Sequence, residues 1–322
     1  MELPGKIKSL LKKSVVVNYY YHNRIMLSKQ YADFLLKISP VLFAKHRYKS
    51  IYGKNPNFRN PVTFDEKLLW LMLYWKHPLK TECGDKYTMR SYVKNLGLGH
   101  VLPELLGVFE NSSEINFASL PGKYVLKCTH GCGFNIICHD NDALDKNRVR
   151  QKLDKWMATD YSKFAGELHY ATMKPRIICE QFMDDLVSDR PIDYKIYCFH
   201  GKAHCILVAQ GRDIDGHTDK FDFYDLEWNN KLPYYKPSLQ SDRYTPKPEA
   251  IDEMITVAES LSKPFPFVRM DFYNIRGKAV LGEMTFTPSG CIQPGYTELA
   301  QNVFGSLIEL PNRKAGKKRF VI

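Results

Sequence analysis

The sequence predicts an α+β protein with a helical front and a strand-rich body. Apolar residues recur at helical spacing through much of the first third of the chain. After Pro121 the texture changes to short runs rich in Val, Ile, Tyr, Phe and Cys, bounded by glycines and charged residues. With 44% hydrophobic and 13% aromatic residues there is ample material for a core, which excludes global disorder.

Taken in order, Pro4 suits a helix start, and Ile7, Leu10, Leu11 and Val15 follow at helical spacing with Lys6, Lys8, Lys12 and Lys13 on the other face. Thr63 to Trp75 opens as a capping box, Thr63 followed by Glu66, and continues into a dense apolar face. A further helix is expected from Lys86 to Asn95, stopped by Gly97 and Gly99. The strand-like runs are KYVLKCT, FNIICHD, RIICEQFM, DYKIYCFHGKAHCILVA, KFDFYD and FVRMDFYNIRGKAVLGEMTF, with hairpin turns at His200-Gly201 and around Asn274 to Gly277. Helices interrupt at 146–158 and 247–262, and a last one runs over 295–308.

The formal charge of +11 is unevenly placed. Residues 1–60 hold 12 Lys/Arg against 2 Asp/Glu, residues 311–322 hold 5 against none, and the body between is mildly acidic. That distribution argues against a uniformly basic nucleic-acid binder. No apolar run reaches the roughly 18–20 residues of a membrane span, and no signal-peptide cleavage pattern follows the basic start. A cytoplasmic protein is expected, with peripheral contact at the inner face of the membrane open for the basic amphipathic start. The eight cysteines form no CxxC pair, as expected of reduced thiols. Cys128, His130, Cys132, Cys138 and His139 could be drawn around zinc, but strand and loop context favours small buried thiols.

Three constellations carry possible chemistry. Lys127 ends an apolar run and is followed by a loop with Gly131 and Gly133; backbone N–H groups and a lysine suit a nucleotide phosphate, although an ordinary tight hairpin explains the pattern too. Asp271 and Glu283 flank a turn. If Ile275-Arg276-Gly277 is a three-residue loop, Asp271 lies opposite Leu281 and Glu283 is its diagonal neighbour. Such carboxylates either share a hard divalent cation or form a solvated acidic pair. Glu180 ends one strand and Asp193-Tyr194-Lys195 begins another, which could be an adenine-binding edge or merely a strand.

As an ordered set, NPVTFDEKLLWL, GDKYTMRSYV, YVLKCTHGCGFNII, ICEQFM, DYKIYCFHG and VRMDFYNIRGKAVLGEMTFTPSG resemble the TupA-like ATP-grasp group, found among bacterial capsule and teichuronopeptide biosynthesis proteins. The resemblance runs from about Phe64 to Pro311. It implies an ATP-grasp fold, two α/β subdomains sandwiching ATP, preceded by a helical N-terminal region. The implied organisation is a basic helical extension (1–60), a helical pre-ATP-grasp region (61–120), a catalytic region (121–310) and a basic tail (311–322).

The same resemblance implies Lys86 and Lys127 as phosphate lysines and Gly131 and Gly133 in a closing loop, with Gly131 to Phe134 as lid. It implies Glu180, Gln181, Phe182 and Met183 as the adenine hinge, Lys195 as a nucleotide contact and Asp193 as a ribose or structural partner. Asp271 and Glu283 match the Mg²⁺ ligands. Thr285 stands where the superfamily usually has Asn, which puts the second metal position in question. Arg212 and Arg269 are candidates to hold a carboxylate or the transferring phosphoryl group, unless they pair with local acids such as Asp213 or Asp219.

The implied reaction is ATP-dependent carboxylate–amine ligation through an acyl phosphate. A uronic-acid carboxylate on a glycan or sugar precursor would be the acid and an amino acid or small amine the nucleophile. Mg²⁺ and ATP are the cofactors. A sugar kinase on the same fold is the alternative, and a capsule glycosyltransferase a third reading.

Overall fold

A computed structural model describes residues 31, 34–165, 167–183, 192–210 and 220–311. The chain divides into two units, Met1–Pro56 and Asn57–Ile322. In the first, helix α1 (Pro40–Tyr52) buries Phe43, Ala44 and Tyr48 and stops at Gly53, whose φ of 71° is available to a residue without Cβ. The Ile7–Val15 helix expected from sequence, and the basic tail beyond Pro311, lie outside the described residues.

In the second unit the expected capping box opens helix α2 (Phe64–Tyr74). The Thr63 hydroxyl accepts from Glu66 N, while Glu66 Oε2 accepts from Thr63 N at 3.3 Å and from Val62 N at 3.0 Å. Helices α3 (Pro78–Gly84) and α4 (Met89–Asn95) follow. The helix expected from Lys86 therefore begins three residues later. Asp85 Oδ1 accepts from Tyr87 N at 2.7 Å and Thr88 N at 3.0 Å, which holds residues 86–88 in a turn.

Two antiparallel sheets form the body. The first has the order β1-β4-β2-β3, from β1 (Leu105–Phe109), β2 (Tyr124–Cys128), β3 (Asn135–Cys138) and β4 (Ile177–Gln181). Strand β1 was not anticipated from sequence: LLGVF is short, interrupted by Gly107 and bulged against β4. Helices α5 (Lys146–Met157) and α6 (Tyr161–Ala165) follow β3. Val149 and Leu153 of α5 are buried with Tyr124, Leu126, Cys128, Ile177 and Cys179, so one face of this sheet is core. By alternation Val125, Lys127, Ile178 and Glu180 share the other face.

The second sheet runs β10-β9-β5-β6-β7-β8. Its strands are β5 (Asp193–Phe199), β6 (Lys202–Gln210), β7 (Lys220–Tyr224), β8 (Lys231–Leu232), β9 (Phe267–Ile275) and β10 (Lys278–Thr285). Helix α7 (Ile251–Ser262) covers one face, burying Met254, Val257, Ala258 and Leu261 with Tyr194, Ile196, Val208, Met270 and Phe272. At one end of the opposite face an aromatic cluster joins the sheet to α2 and α8 (Glu298–Leu307): Phe64 lies 5.1 Å from Phe267 and 5.2 Å from Phe304 between ring centroids. The rest of that face, between the aromatic cluster and the sheet's open end, carries Asp193, Lys195 and Asp271.

Candidate active site

The β9–β10 hairpin sets the geometry, and its register differs from the sequence expectation. The turn has two residues, Arg276 and Gly277, with φ of 52° and 74°, so both occupy the left-handed region of a primed hairpin turn. Leu281 consequently pairs with Phe272. The register then shifts between Leu281 and Glu283, leaving Gly282 as the extra residue, and Glu283 pairs directly with Asp271 rather than standing diagonal to it. Lys195 on β5 pairs with Asp271 from the other side, so Glu283, Asp271 and Lys195 form one cross-strand row on strands about 4.8 Å apart.

The side chains of this row are tied together. Lys195 Nζ donates to Asp271 Oδ2 at 2.7 Å and lies 3.4 Å from Asp193 Oδ2. Arg269, two residues before Asp271 on the same face, grips both Asp271 oxygens at 2.6 Å each, and Thr285 Oγ1 donates to Glu283 Oε1 at 3.1 Å. Lys86 Nζ lies 3.6 Å from Glu283 Oε2 and donates to the Gly131 carbonyl at 2.7 Å. Burial alone would raise the Glu283 pKa, but Lys86, Lys195, Arg269 and the Thr285 hydroxyl hold it down to about 2. Burial likewise opposes the Arg269 charge, yet Asp271, with Tyr197 and Glu283, keeps it well above the ordinary guanidinium value.

The first sheet contributes a second cluster. Glu180 is buried and takes Arg90 Nη1 on Oε1 at 3.0 Å. Lys127 Nζ lies 2.6 Å from Oε2, an ion-pair contact whose angle misses hydrogen-bond geometry. Beyond Glu180, Gln181 N donates to Glu104 O at 3.0 Å, and Phe182 packs edge-on to His139 at 5.2 Å. Met183 is half-buried at the end of the described stretch.

The glycine loop after β2 is well anchored. Phe134 stacks on Trp156 at 5.2 Å and meets Tyr161 at 5.5 Å; a Cβ on Gly131 would fall 2.8 Å from the Phe134 ring and 2.9 Å from Tyr161. Gly133 has φ of 75°. His130 Nε2 contacts Trp156 O at 3.1 Å, and burial lowers its pKa. Cys132 alone of the eight cysteines is exposed, and the neighbouring Glu283 charge pushes its thiol pKa up.

The structure thus brings together Lys86, Asp193, Lys195, Arg269, Asp271, Glu283 and Thr285, with Gly131 tied to Lys86. It separately joins Lys127 and Glu180. Arg212, with Asp213 and Asp219, lies outside the described residues. Cys128 and Cys138 are buried in their strands, and among the described residues no three His, Cys, Asp or Glu are grouped to hold a metal ion. D-x-D spacings of the glycosyltransferase kind occur at Asp140–Asp142 and Asp213–Asp215; the second lies outside the described residues, and in the first Asp140 Oδ1 is used locally, accepting from Asp142 N at 2.9 Å and Ala143 N at 3.3 Å. Sequence reasoning missed Arg90: it sits inside a helical run where nothing in the spacing distinguishes it from a surface arginine.

Two antiparallel α/β layers, one presenting a lysine and a buried glutamate beside a glycine loop and the other a row of lysine and carboxylates, define an ATP-grasp protein. The chain belongs to the TupA-like ATP-grasp family, whose model matches residues 66–308. No curated protein sequence matches it significantly.

Solved structures with a similar arrangement include a D-alanine–D-alanine ligase from Bacillus anthracis at 14% identity and TM-score 0.40, covering 70% of this chain and 62% of that one. A phosphoribosylamine–glycine ligase from Thermotoga maritima matches at 13% and TM-score 0.41, covering 64% and 48%. An L-amino acid ligase from Bacillus licheniformis matches at 15% and TM-score 0.36, covering 65% and 42%. The chain therefore spans less than two thirds of each of these proteins.

Proposed function

We propose that this protein is an ATP-dependent carboxylate–amine ligase. The observation that carries the reading is the cross-strand row of Glu283, Asp271 and Lys195, closed by Arg269 and Lys86. Among the described residues three cations face three carboxylates there, counting Asp193. Each cation is a ready phosphate ligand once its carboxylate finds another positive partner.

Glu283, Thr285 and Asp271 offer hard oxygen donors on adjacent strands, which fits Mg²⁺: it usually takes one or two carboxylates plus substrate phosphates. Bound there, Mg²⁺ would neutralise phosphate charge. Lys86, Lys195 and Arg269, which pair with Glu283 and Asp271, would hold phosphate oxygens, and Lys127 would supply a cation from the first sheet. Arg269 presents a planar fork suited to a carboxylate or to the phosphoryl group in transfer. The loop bearing Gly131 and Gly133, tied to Lys86 through the Gly131 carbonyl, would exclude water there and protect an acyl phosphate from hydrolysis. Glu180, Gln181, Phe182 and Met183 would hold the adenine. The amine then displaces phosphate from the activated carboxyl carbon.

A uronic-acid carboxylate in surface polysaccharide synthesis is the acid we favour, on the strength of family membership. The division of the body into a 61–120 region and a 121–310 catalytic region is part of the same reading. Exposed Phe34, Ile38 and Leu42 beside Lys37, Lys45 and Lys49 support peripheral attachment to anionic lipid. No helix among the described residues is long and apolar enough to cross a membrane.

The test incubates the protein with ATP, Mg²⁺ and panels of uronic acids and amino acids, reading nucleotide, phosphate and product mass. ADP, phosphate and a dehydrative mass gain requiring both partners support the ligase. Phosphorylated sugar without an amine means a kinase, and AMP refutes the assignment.

A further inference from the structure

Glu180 has two cationic partners, and they are held differently. Arg90 Nη1 meets Oε1 at 3.0 Å in hydrogen-bond geometry, and its Nη2 donates to the Pro103 carbonyl at 2.5 Å. Arg90 and Glu180 are 6% and 5% exposed. The helix that carries Arg90 is rooted elsewhere: Met89 and Val93 are buried in the core behind the second sheet, while the guanidinium reaches the first. Arg90 is therefore fixed at both its backbone and its fork. Lys127 is close to Glu180, at 2.6 Å, but poorly aligned, and its side chain is 13% exposed.

If Lys127 were Glu180's only cation, moving its ammonium to a phosphate would strand a buried carboxylate, which is costly. We propose that Arg90 is a positioning residue that keeps Glu180 neutralised while Lys127 transfers from Glu180 to a nucleotide phosphate. The proposal rests on the reading of Lys127 as a phosphate ligand. In this arrangement the pre-ATP-grasp helix α4 acts in nucleotide binding without touching nucleotide. Loss of the Arg90 charge leaves Lys127 as the sole partner of Glu180 and withdraws it from ligand.

Binding of a non-hydrolysable ATP analogue with Mg²⁺, measured by calorimetry, tests this with the wild type, Lys127→Ala, Arg90→Gln, Arg90→Lys, Glu180→Gln and the Arg90→Gln/Glu180→Gln double variant. Arg90→Gln is expected to weaken binding on the order of tenfold. Arg90→Lys keeps the charge and recovers part of that loss. Glu180→Gln alone reports the loss of the adenine contact, and adding Arg90→Gln to it should cost less than about twofold in further affinity, because an uncharged residue 180 no longer retains Lys127. A purely structural role predicts about the same tenfold loss in either background, so a further loss on the order of tenfold in the double variant overturns the proposal. Binding by Arg90→Gln within about twofold of wild type, with Lys127→Ala impaired, also overturns it while leaving the Lys127 reading intact. Wild-type affinity in Lys127→Ala, or no binding by the wild type, overturns the underlying reading as well. Should Arg90→Gln fail to fold, Arg90→Lys decides: its affinity must fall between those of the wild type and Lys127→Ala.

Discussion

Glu283 stands directly across the hairpin from Asp271, and Gly282 makes that so. With the two-residue Arg276-Gly277 turn alone, position 283 would pair with Met270, whose side chain points into the core covered by α7. A one-residue shift turns every later side chain to the other face. The extra residue at Gly282 restores Glu283 to the face of Lys195 and Arg269. A Cβ there would meet the Tyr273 ring at 3.0 Å and Asp271 O at 3.3 Å.

Glu283→Gln removes a charge from the row without changing its shape. Nucleotide affinity should then lose most of its dependence on Mg²⁺, measured by calorimetry with and without the metal, while circular dichroism stays unchanged. An undiminished Mg²⁺ effect would remove Glu283 from the metal site.

The depressed Glu283 pKa also has a stability consequence. A carboxylate whose folded pKa lies below its unfolded value contributes stability above roughly pH 4, lost as pH falls through the folded value. With that value at about 2, the wild type should exceed Glu283→Gln in melting temperature at pH 5, and the gap should close toward pH 2.

Lys80 predicts a second rise in stability with pH, of the same sign, in the alkaline range. It is buried, with Nζ donating to Leu71 O at 3.3 Å, and burial lowers its pKa to about 8 despite Cys291 and Glu167 nearby. The unfolded chain binds the extra proton between pH 8 and roughly 10.4, so stability from this group rises across that window. Lys80→Met should flatten the rise in thermal melts taken at matched ionic strength.

Cys132 offers a probe of the loop. Native protein treated with a maleimide should react at one thiol, and nucleotide with Mg²⁺ should slow that reaction if the loop closes over ligand. Equal labelling rates with and without ligand would count against a lid.

Gly305 is where α8 crosses the start of α2. A Cβ there would lie 2.2 Å from Val62 O and 3.1 Å from Phe64 N, both backbone atoms. Gly305→Ala should cost about 1–3 kcal/mol through overpacking, read as a lowered denaturant midpoint.

Much of this protein is determined locally. The Thr63–Glu66 box, the α5 and α7 helices and eight of the strands follow from periodicity and end signals, because those depend on residues near in sequence. Lys86, Lys127, Asp271 and Glu283 were legible as candidates through their motifs. What only the tertiary structure decided is which charges meet. Strand β1 forms because β4 offers it an edge, and a bulge at Gly282 outweighs the register that turn length alone predicts. Arg90 reaches Glu180, ninety residues away in sequence, because α4 is anchored in one core and faces the other sheet. Ion pairs between distant segments leave no periodic trace in the chain. Their partners are set by how the sheets and helices pack.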